Sequence, residues 1–372
     1  MAEIGLCAPR PLHKGQYTGV SPASDEPLVT IEEIRAAAER LRGIVVRTPL
    51  LPFGPPLAGD RLGRPHAWLK AENLQPIGAF KLRGAYNALS QLSAAQLARG
   101  VVTASSGNHA QGVSRAARLL GTRAVIVMPS DAPRIKVAGV EADGAEIVFV
   151  GPSSEERAAR ARAIAESEGL ALIASYDHRH IIAGQGTAGI EIAEQMAELA
   201  ADEADDTDRS VGPPFTVLVP VGGGGLASGV ATAVKALRPD ARVYGVEPVL
   251  AADGRDSLAQ DRIVRWTPEQ TGRTSADGMR TTALGALTFR HLRERLDGII
   301  AVDEDEIARA MVRAARGARL VVEPSGATSL AAWLFHAAEL PADGAVVCLL
   351  SGGNVDPATY DEMIARGIRS GG

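Results

Sequence analysis

The sequence predicts an α/β protein of two doubly wound, parallel-sheet lobes, and three observations carry that expectation. Short apolar runs alternate with amphipathic, helix-like stretches from residue 67 to residue 350, the pattern of parallel sheet covered on both faces. The runs are too many for one sheet of ordinary size. Several end in turns rich in glycine or serine that open into a helical pattern, which is where open α/β sheets place their ligands.

Taken in order, residues 1–28 read as an irregular tail, with Pro9, Pro11, Gly15, Gly19, Ser21 and Pro22 and no periodicity. A helix opens behind Thr30, which with Glu33 has the spacing of a capping box ahead of IEEIRAAAERL. Strands are expected at 67–70, 101–104, 124–128, 147–150, 170–174, 216–220, 242–246, 298–302 and 345–350. Residues 99–178 are expected to form a smaller, mobile substrate lobe inserted in a larger lobe made of 29–98 and 179–372, a layout suited to a lid that closes on substrate. The stretch 200–214 is acidic, carries glycine and proline and has no apolar period, so it reads as an exposed surface loop. About twenty residues follow Leu350, and no appended regulatory domain is expected.

Composition narrows the function. The 372 residues hold 39 Lys+Arg against 44 Asp+Glu, a formal net charge of −5, which argues against non-specific nucleic-acid binding. Cys7 and Cys348 are the only cysteines, which excludes a disulfide framework and a Cys-rich zinc site. No apolar run reaches the ~20 residues of a membrane span, and the first residues lack the apolar core of a signal peptide. The expectation is a cytoplasmic protein acting on a small molecule, with neither nucleic acid nor membrane as partner. Among the basic residues only Lys14, Lys70, Lys81, Lys136 and Lys235 are lysines, so amine chemistry has few candidates.

Four segments carry chemistry. Gly222, Gly223, Gly224, Gly225 and Leu226 stand between the strand-like TVLVPV and a helical pattern; backbone N–H groups with no Cβ in the way, at a helix N-terminus, make a phosphate cradle. The same stretch fits a second use, because Gly222, Gly224 and Ala227 with Glu247 downstream match a dinucleotide fingerprint. In GAFKLRGA, Lys81 lies between Phe80 and Leu82 at a helix start; desolvation there lowers a lysine pKa and frees the amine for Schiff-base chemistry. SSGNHAQG, from Ser105 to Gly112, is a polar turn opening a helix after VVTA, fit to present N–H groups to a carboxylate. In LSGGN, Ser351 ends a strand and is followed by two glycines, a ligand-facing position.

In this order, from Lys70 to Asn354, the segments resemble the fold-type II pyridoxal-phosphate enzymes, the tryptophan synthase β-like fold, in the branch of threonine/serine dehydratases and serine racemases. YDHRHIIAGQGT is similar to a further family segment. The resemblance implies pyridoxal 5′-phosphate in the cleft between the two lobes, and a homodimer. It implies that Lys81 holds the cofactor as a Schiff base and then takes the substrate α-proton, and that Phe80 packs on the cofactor ring. It further implies that Gly222, Gly223, Gly224, Gly225 and Leu226 hold the phosphate, that Asn108 bonds the ring 3-hydroxyl and that Ser351 faces the pyridine nitrogen. Ser105, Ser106, Gly107, Asn108 and His109 would bind the substrate carboxylate.

The implied reaction is β-elimination: an L-β-hydroxy amino acid, L-threonine or L-serine, gives a 2-oxo acid and ammonia. A serine at position 351 leaves the pyridine nitrogen neutral and the electron sink weak, which favours prompt loss of a β-leaving group. Alternatives inside the family are an amino-acid racemase, with Ser106 as a second acid/base opposite Lys81, and a dehydratase of 3-hydroxyaspartate or of a hydroxyectoine pathway. EPVLAAD resembles the family's divalent-cation segment, in which Glu247 and Asp253 carboxylates and the Ala251 carbonyl would take Mg2+ or Ca2+. Ala79 stands where many relatives carry serine, which loosens the inference to threonine. Asp277, Gly278 and the residues from Met279 to Thr282 could contact a substrate side chain, and sequence does not rank them. His178 and His180 read as surface residues. From other classes, a nicotinamide-dependent oxidoreductase and a non-catalytic binding protein that kept the fold remain open.

Overall fold

A computed structural model describes residues 26–54, 67–105, 107–151, 153–202, 213–342 and 344–371. Among them run strands β1 (Leu50–Phe53), β2 (Ala67–Ala71), β3 (Val101–Ala104), β4 (Ala124–Pro129), β5 (Glu146–Val150), β6 (Ala171–Leu172), β7 (Phe215–Pro220), β8 (Arg242–Pro248), β9 (Gly298–Val302) and β10 (Ala345–Leu350). They form a six-stranded sheet in the order β1-β2-β10-β7-β8-β9 and a four-stranded sheet in the order β5-β4-β3-β6. Every pairing is parallel except β1 with β2. The four-stranded sheet falls wholly within 99–178, and the other sheet wholly outside it.

Both sheets are covered on both faces, and alternation along each strand shows why. In β7, Leu218 faces one core with Ala67, Leu69, Cys348 and Leu350, while Phe215, Val217 and Val219 face the other with Val347 and Leu349. Helices Glu304–Arg313, Pro324–Phe335 and Pro357–Arg369 cover the first face, and Arg179–Asp202, Gly225–Leu237 and Ala286–Arg295 the second. In the smaller sheet Ile126 and Met128 face one core and Val125 and Val127 the other. A period of two that divides between two apolar cores is what a doubly wound sheet requires. Helix Lys81–Leu89 sends Leu82, Ala85, Ala88 and Leu89 into the smaller lobe's core, so the helix headed by Lys81 joins the two lobes.

Three elements differ from the sequence reading. β1 has no place in it; this antiparallel strand lies at the sheet edge, where the missing N–H of Pro52 breaks no interior ladder. The strand expected at 170–174 pairs with β3 only over Ala171 and Leu172, after which the chain leaves the sheet edge for the other lobe. The acidic stretch begins inside a helix that runs to Asp202, and 203–212 lie outside the described residues. The expected tail lies outside them as far as residue 25. At its inner end Val29 is buried and its N–H donates to His291 Nε2 at 2.9 Å. Thr30 caps Ile31–Leu41 with the capping box complete in both directions. No helix among the described residues is long and apolar enough to cross a membrane.

Candidate active site

The segments that follow β2, β3, β7 and β10 meet at the carboxyl edges of the parallel strands, between the two sheets. The chain after β2 is tied to the chain after β10. The Phe80 N–H donates to the Ser351 carbonyl at 3.1 Å, the Gly353 N–H donates to the Gly78 carbonyl at 2.9 Å, and Ala79 bridges Gly352. Gly78 has φ +72°, and a Cβ there would stand 2.5 Å from Asn354 Oδ1, so the approach needs glycine. Lys81 heads its helix, with Nζ 5.2 Å from the centre of the Phe80 ring. Its ammonium donates to the Ser175 carbonyl at 3.0 Å. Burial pulls the Lys81 pKa down to about 8 against the opposing charge of Glu323.

The glycine turn is tied to this lysine through Ser175, which holds Lys81, and Tyr176, which packs on the turn. Gly224 caps helix Gly225–Leu237 with φ +92°, and the first N–H groups of a helix have no partner within it. A Cβ on Gly223 would collide with the Tyr176 ring. The Thr288 hydroxyl donates to the Gly223 carbonyl at 2.8 Å. Leu226 is buried in the sheet core. The buried Thr281 hydroxyl has no hydrogen-bond partner and lies 3.7 Å from where a Gly222 Cβ would stand. Backbone donors and an unpartnered hydroxyl around a helix N-terminus suit an anion with several acceptor oxygens. Ser175, Tyr176 and Asp177 bind the parts together. Ser175 holds Lys81, Tyr176 lies on the glycine turn, and the Asp177 carboxylate accepts the N–H groups of Ala286, Leu287 and Thr288 at 2.9, 3.0 and 3.0 Å.

From the smaller lobe, Ser105, Gly107, Asn108 and His109 lead into helix Asn108–Leu120; Ser106 lies outside the described residues. The Gly107 N–H donates to Ser105 Oγ at 3.2 Å. Asn108 reaches across the cleft, donating to Glu323 Oε1 at 2.6 Å and accepting from Asn354 Nδ2 at 2.9 Å. His109 is buried, and burial pulls its imidazole down to about 3, with the Lys81 charge acting the same way, so it is neutral. Glu323 is also buried, with Oε2 lacking a hydrogen-bond partner; burial pushes its carboxyl up to about 7. Ser351 is buried at the end of β10.

The chain thus gathers Lys81, Phe80, Asn108, the glycine turn and Ser351 into one cleft. Glu247, near the end of β8, forms a separate group with Ala251 and Asp253 just after that strand. Glu247 is 1% exposed and its carboxylate accepts the N–H groups of Gly254 and Arg255 at 3.0 and 2.8 Å. It points inward, which leaves it no role on a ribose and removes the support for a dinucleotide. Burial raises the Glu247 pKa well above the usual range, and that of Asp253 to about 7; Asp253 Oδ2 has no hydrogen-bond partner. Two buried carboxylates with an open acceptor suit a hard cation. His178 is exposed and His180 half-buried.

Sequence reasoning missed Ser175, Glu323 and Lys136. Ser175 acts through a backbone carbonyl, which leaves no mark on residue type. Glu323 precedes a helix-opening proline, where a carboxylate reads as an ordinary cap. Lys136 carried one signal, the scarcity of lysine. Lys136 is buried, paired with Asp277, and 3.8 Å from Glu323 Oε2.

Residues 41–352 match the family described as pyridoxal-phosphate dependent enzyme. The chain is 39% identical over 336 residues to an L-threo-3-hydroxyaspartate ammonia-lyase of Saccharomyces cerevisiae, covering 90% of this chain and 96% of that enzyme. It is 38% identical over 339 residues to a serine racemase of Schizosaccharomyces pombe, covering 91% and 98%. Among solved structures, a threonine deaminase superposes with a TM-score of 0.78 at 44% identity, covering 88% of this chain and 99% of that one. A maize serine racemase superposes with a TM-score of 0.80 at 35% identity, covering 92% and 99%.

Proposed function

The chain belongs to the pyridoxal-phosphate-dependent enzyme family, and from that premise we propose that it is an ammonia-lyase that dehydrates and deaminates L-threonine or L-serine. The observation that carries this is Lys81: an amine tuned by burial to about 8, beside a glycine-turn anion site and facing a second N–H-rich loop from the opposite lobe. The residues fit the cofactor, since the glycine turn and the unpartnered Thr281 hydroxyl suit its phosphate and Ser351 and Asn108 supply polar groups that would hold its ring. Bound pyridoxal phosphate supplies an electron sink for the pair left at the substrate α-carbon.

The chain's own residues do the rest. The N–H groups of 105–109 bind the substrate carboxylate and orient the α-hydrogen. The Lys81 amine, when it is not itself holding the cofactor, would remove the α-proton. The β carbon–oxygen bond breaks, so that in net terms the α-proton and the hydroxyl depart together as water, and the released enamine takes up water to give a 2-oxo acid and ammonia. Ser351 would offer only a hydroxyl to the ring nitrogen, which would favour this early loss over prolonged charge storage. We propose that the enzyme works as a cytoplasmic homodimer, with the smaller lobe as its mobile part and Mg2+ or Ca2+ at Glu247, Ala251 and Asp253.

Release of 2-oxo acid from L-threonine, L-serine, D-serine and the threo and erythro 3-hydroxyaspartates tests the reading. Fast release from L-threonine or L-serine supports it, and release from a 3-hydroxyaspartate alone replaces the substrate, as the Saccharomyces cerevisiae relative's name allows. Racemisation is a second reading, favoured by the serine at position 106. It expects Ser106→Ala to lose interconversion of the serine enantiomers and keep elimination; equal loss of both counts against it.

A further inference from the structure

Helix Arg134–Ala142 of the smaller lobe begins against the larger lobe. Its second residue donates a backbone N–H across the cleft, from Ile135 to Asp356 Oδ1 at 3.2 Å. Its third is Lys136, whose side chain is 3% exposed and pairs with Asp277, with Glu323 at 3.8 Å. All of these partners belong to the larger lobe. A buried ammonium is costly unless paired, and here the pairing exists only while the lobes are together. Separating them would strip Lys136 of both carboxylates and the N-terminus of this helix of Asp356.

The same ammonium lies behind the carboxylate loop. A Cβ on Gly107 would stand 3.5 Å from Lys136 Nζ. An anion held by the N–H groups of that loop would therefore share its surroundings with Asp277 and Glu323, two acidic groups already present. The Lys136 charge is what lets a substrate carboxylate and those acids occupy one closed cleft; without it, closure would bring like charges together at low dielectric.

We propose that Lys136 is a positioning residue that clasps the smaller lobe against Asp277 and Glu323 and so couples closure of the cleft to the binding of a substrate carboxylate. This rests on the reading of 105–109 as the carboxylate site. A ligand shifts a two-state equilibrium only through its differential interaction with the two states, and Lys136 supplies that difference.

The test uses the holoenzyme with Lys136→Met, Lys136→Arg and Asp277→Asn. Lys136→Met should raise KM for the amino acid at least tenfold, lower kcat less than that, and leave pyridoxal-phosphate retention and the lysine-bound cofactor absorbance as in the parent enzyme. Lys136→Arg should recover most of the loss. Asp277→Asn should raise KM in the same direction, and tests the clasp from its partly exposed side if Lys136→Met folds poorly. Hydrogen exchange across 134–142, followed with and without unreactive α-methylserine, should show substrate-analogue protection in the parent and none in Lys136→Met. An unchanged KM with unchanged protection overturns the proposal. So does a KM rise accompanied by loss of cofactor, which would make Lys136 part of the cofactor pocket. Failure of the parent reading is distinct: the parent enzyme would then lack both the cofactor absorbance and turnover, while ligand-free exchange across 134–142 would still be faster in Lys136→Met than in the parent if the clasp holds.

Discussion

The Lys81 ammonium donates to the carbonyl of Ser175 at 3.0 Å, and the very next residue, Tyr176, lies against Gly223 and Gly225 of the glycine turn. A single peptide step therefore joins the position of the amine to the position of the anion site. Asp177 continues the brace by capping helix Ala286–Arg295. The lysine and the glycine turn come from distant parts of the sequence, and their spacing is set by this three-residue strap rather than by either motif.

The tuning of Lys81 gives a pH expectation. Burial pulls its pKa down to about 8. Only the neutral amine attacks an aldehyde, and an unperturbed lysine is half neutral only near pH ~10.4. Capture of pyridoxal phosphate by apoenzyme should therefore quicken about tenfold per pH unit below about 8 and level off above it. Stopped-flow absorbance after mixing reads this directly. A rate that keeps climbing to pH ~10 would show an ordinary lysine and sink the tuning argument.

Gly224→Ala should weaken cofactor retention about tenfold while the fold persists, a factor equivalent to about 1.4 kcal/mol. The backbone there has φ +92°, and an added Cβ would stand 2.9 Å from the Thr288 Cβ. The left-handed conformation alone costs a non-glycine residue roughly 1–2 kcal/mol, and relief would rotate the N–H groups away from the phosphate. Equilibrium dialysis against pyridoxal phosphate measures it, and retention equal to the parent would remove the turn from the cofactor site.

Removing divalent cation should lower thermal stability. Glu247 and Asp253 are buried together, and Asp253 Oδ2 has no hydrogen-bond partner; a cation would supply the missing contact. Mg2+ or Ca2+ at a hundred times its Kd should contribute about 2.7 kcal/mol, seen as a rise in Tm that a chelator reverses. Asp253→Asn should abolish most of the rise. An equal rise in that variant would place the cation elsewhere.

Much of this was legible in the residues. Alternating apolar runs gave the doubly wound sheets, because a strand buried on both faces leaves an unbroken apolar signature in the chain. Lys81, the glycine turn and Ser351 were legible because glycine clusters and an apolar-flanked lysine have few other uses. The edge strand β1 was not, since four residues holding a proline carry little period. The three-way meeting of Asn108, Glu323 and Asn354 was not, because it joins residues more than two hundred positions apart. Glu247 could serve a ribose or a cation by its place in the sequence, and its carboxylate, turned onto the amides of Gly254 and Arg255, is drawn away from the first of these.

The last expectation concerns the buried charges behind Lys81. Arg83, two residues along the same helix, is fully buried and donates to Glu72 at 2.7 and 2.8 Å and to Glu191 at 2.6 and 2.9 Å. Lys70 joins the group through Glu191 at 2.6 Å and the Thr48 carbonyl at 2.8 Å. The group links β2, helix Lys81–Leu89 and helix Arg179–Asp202. Arg83→Met would leave Glu72, 0% exposed, without its main counter-charge. Stranding a buried charge in this way costs about 3–5 kcal/mol, to be read from the urea midpoint. The exposed pair of Arg42 and Glu39, with side chains 77% and 65% exposed, is the comparison; Arg42→Met should change stability by less than about 1 kcal/mol. If Arg83→Met were equally mild, Glu72 would be uncharged or reached by water, and the helix that carries Lys81 would owe its position to apolar packing alone.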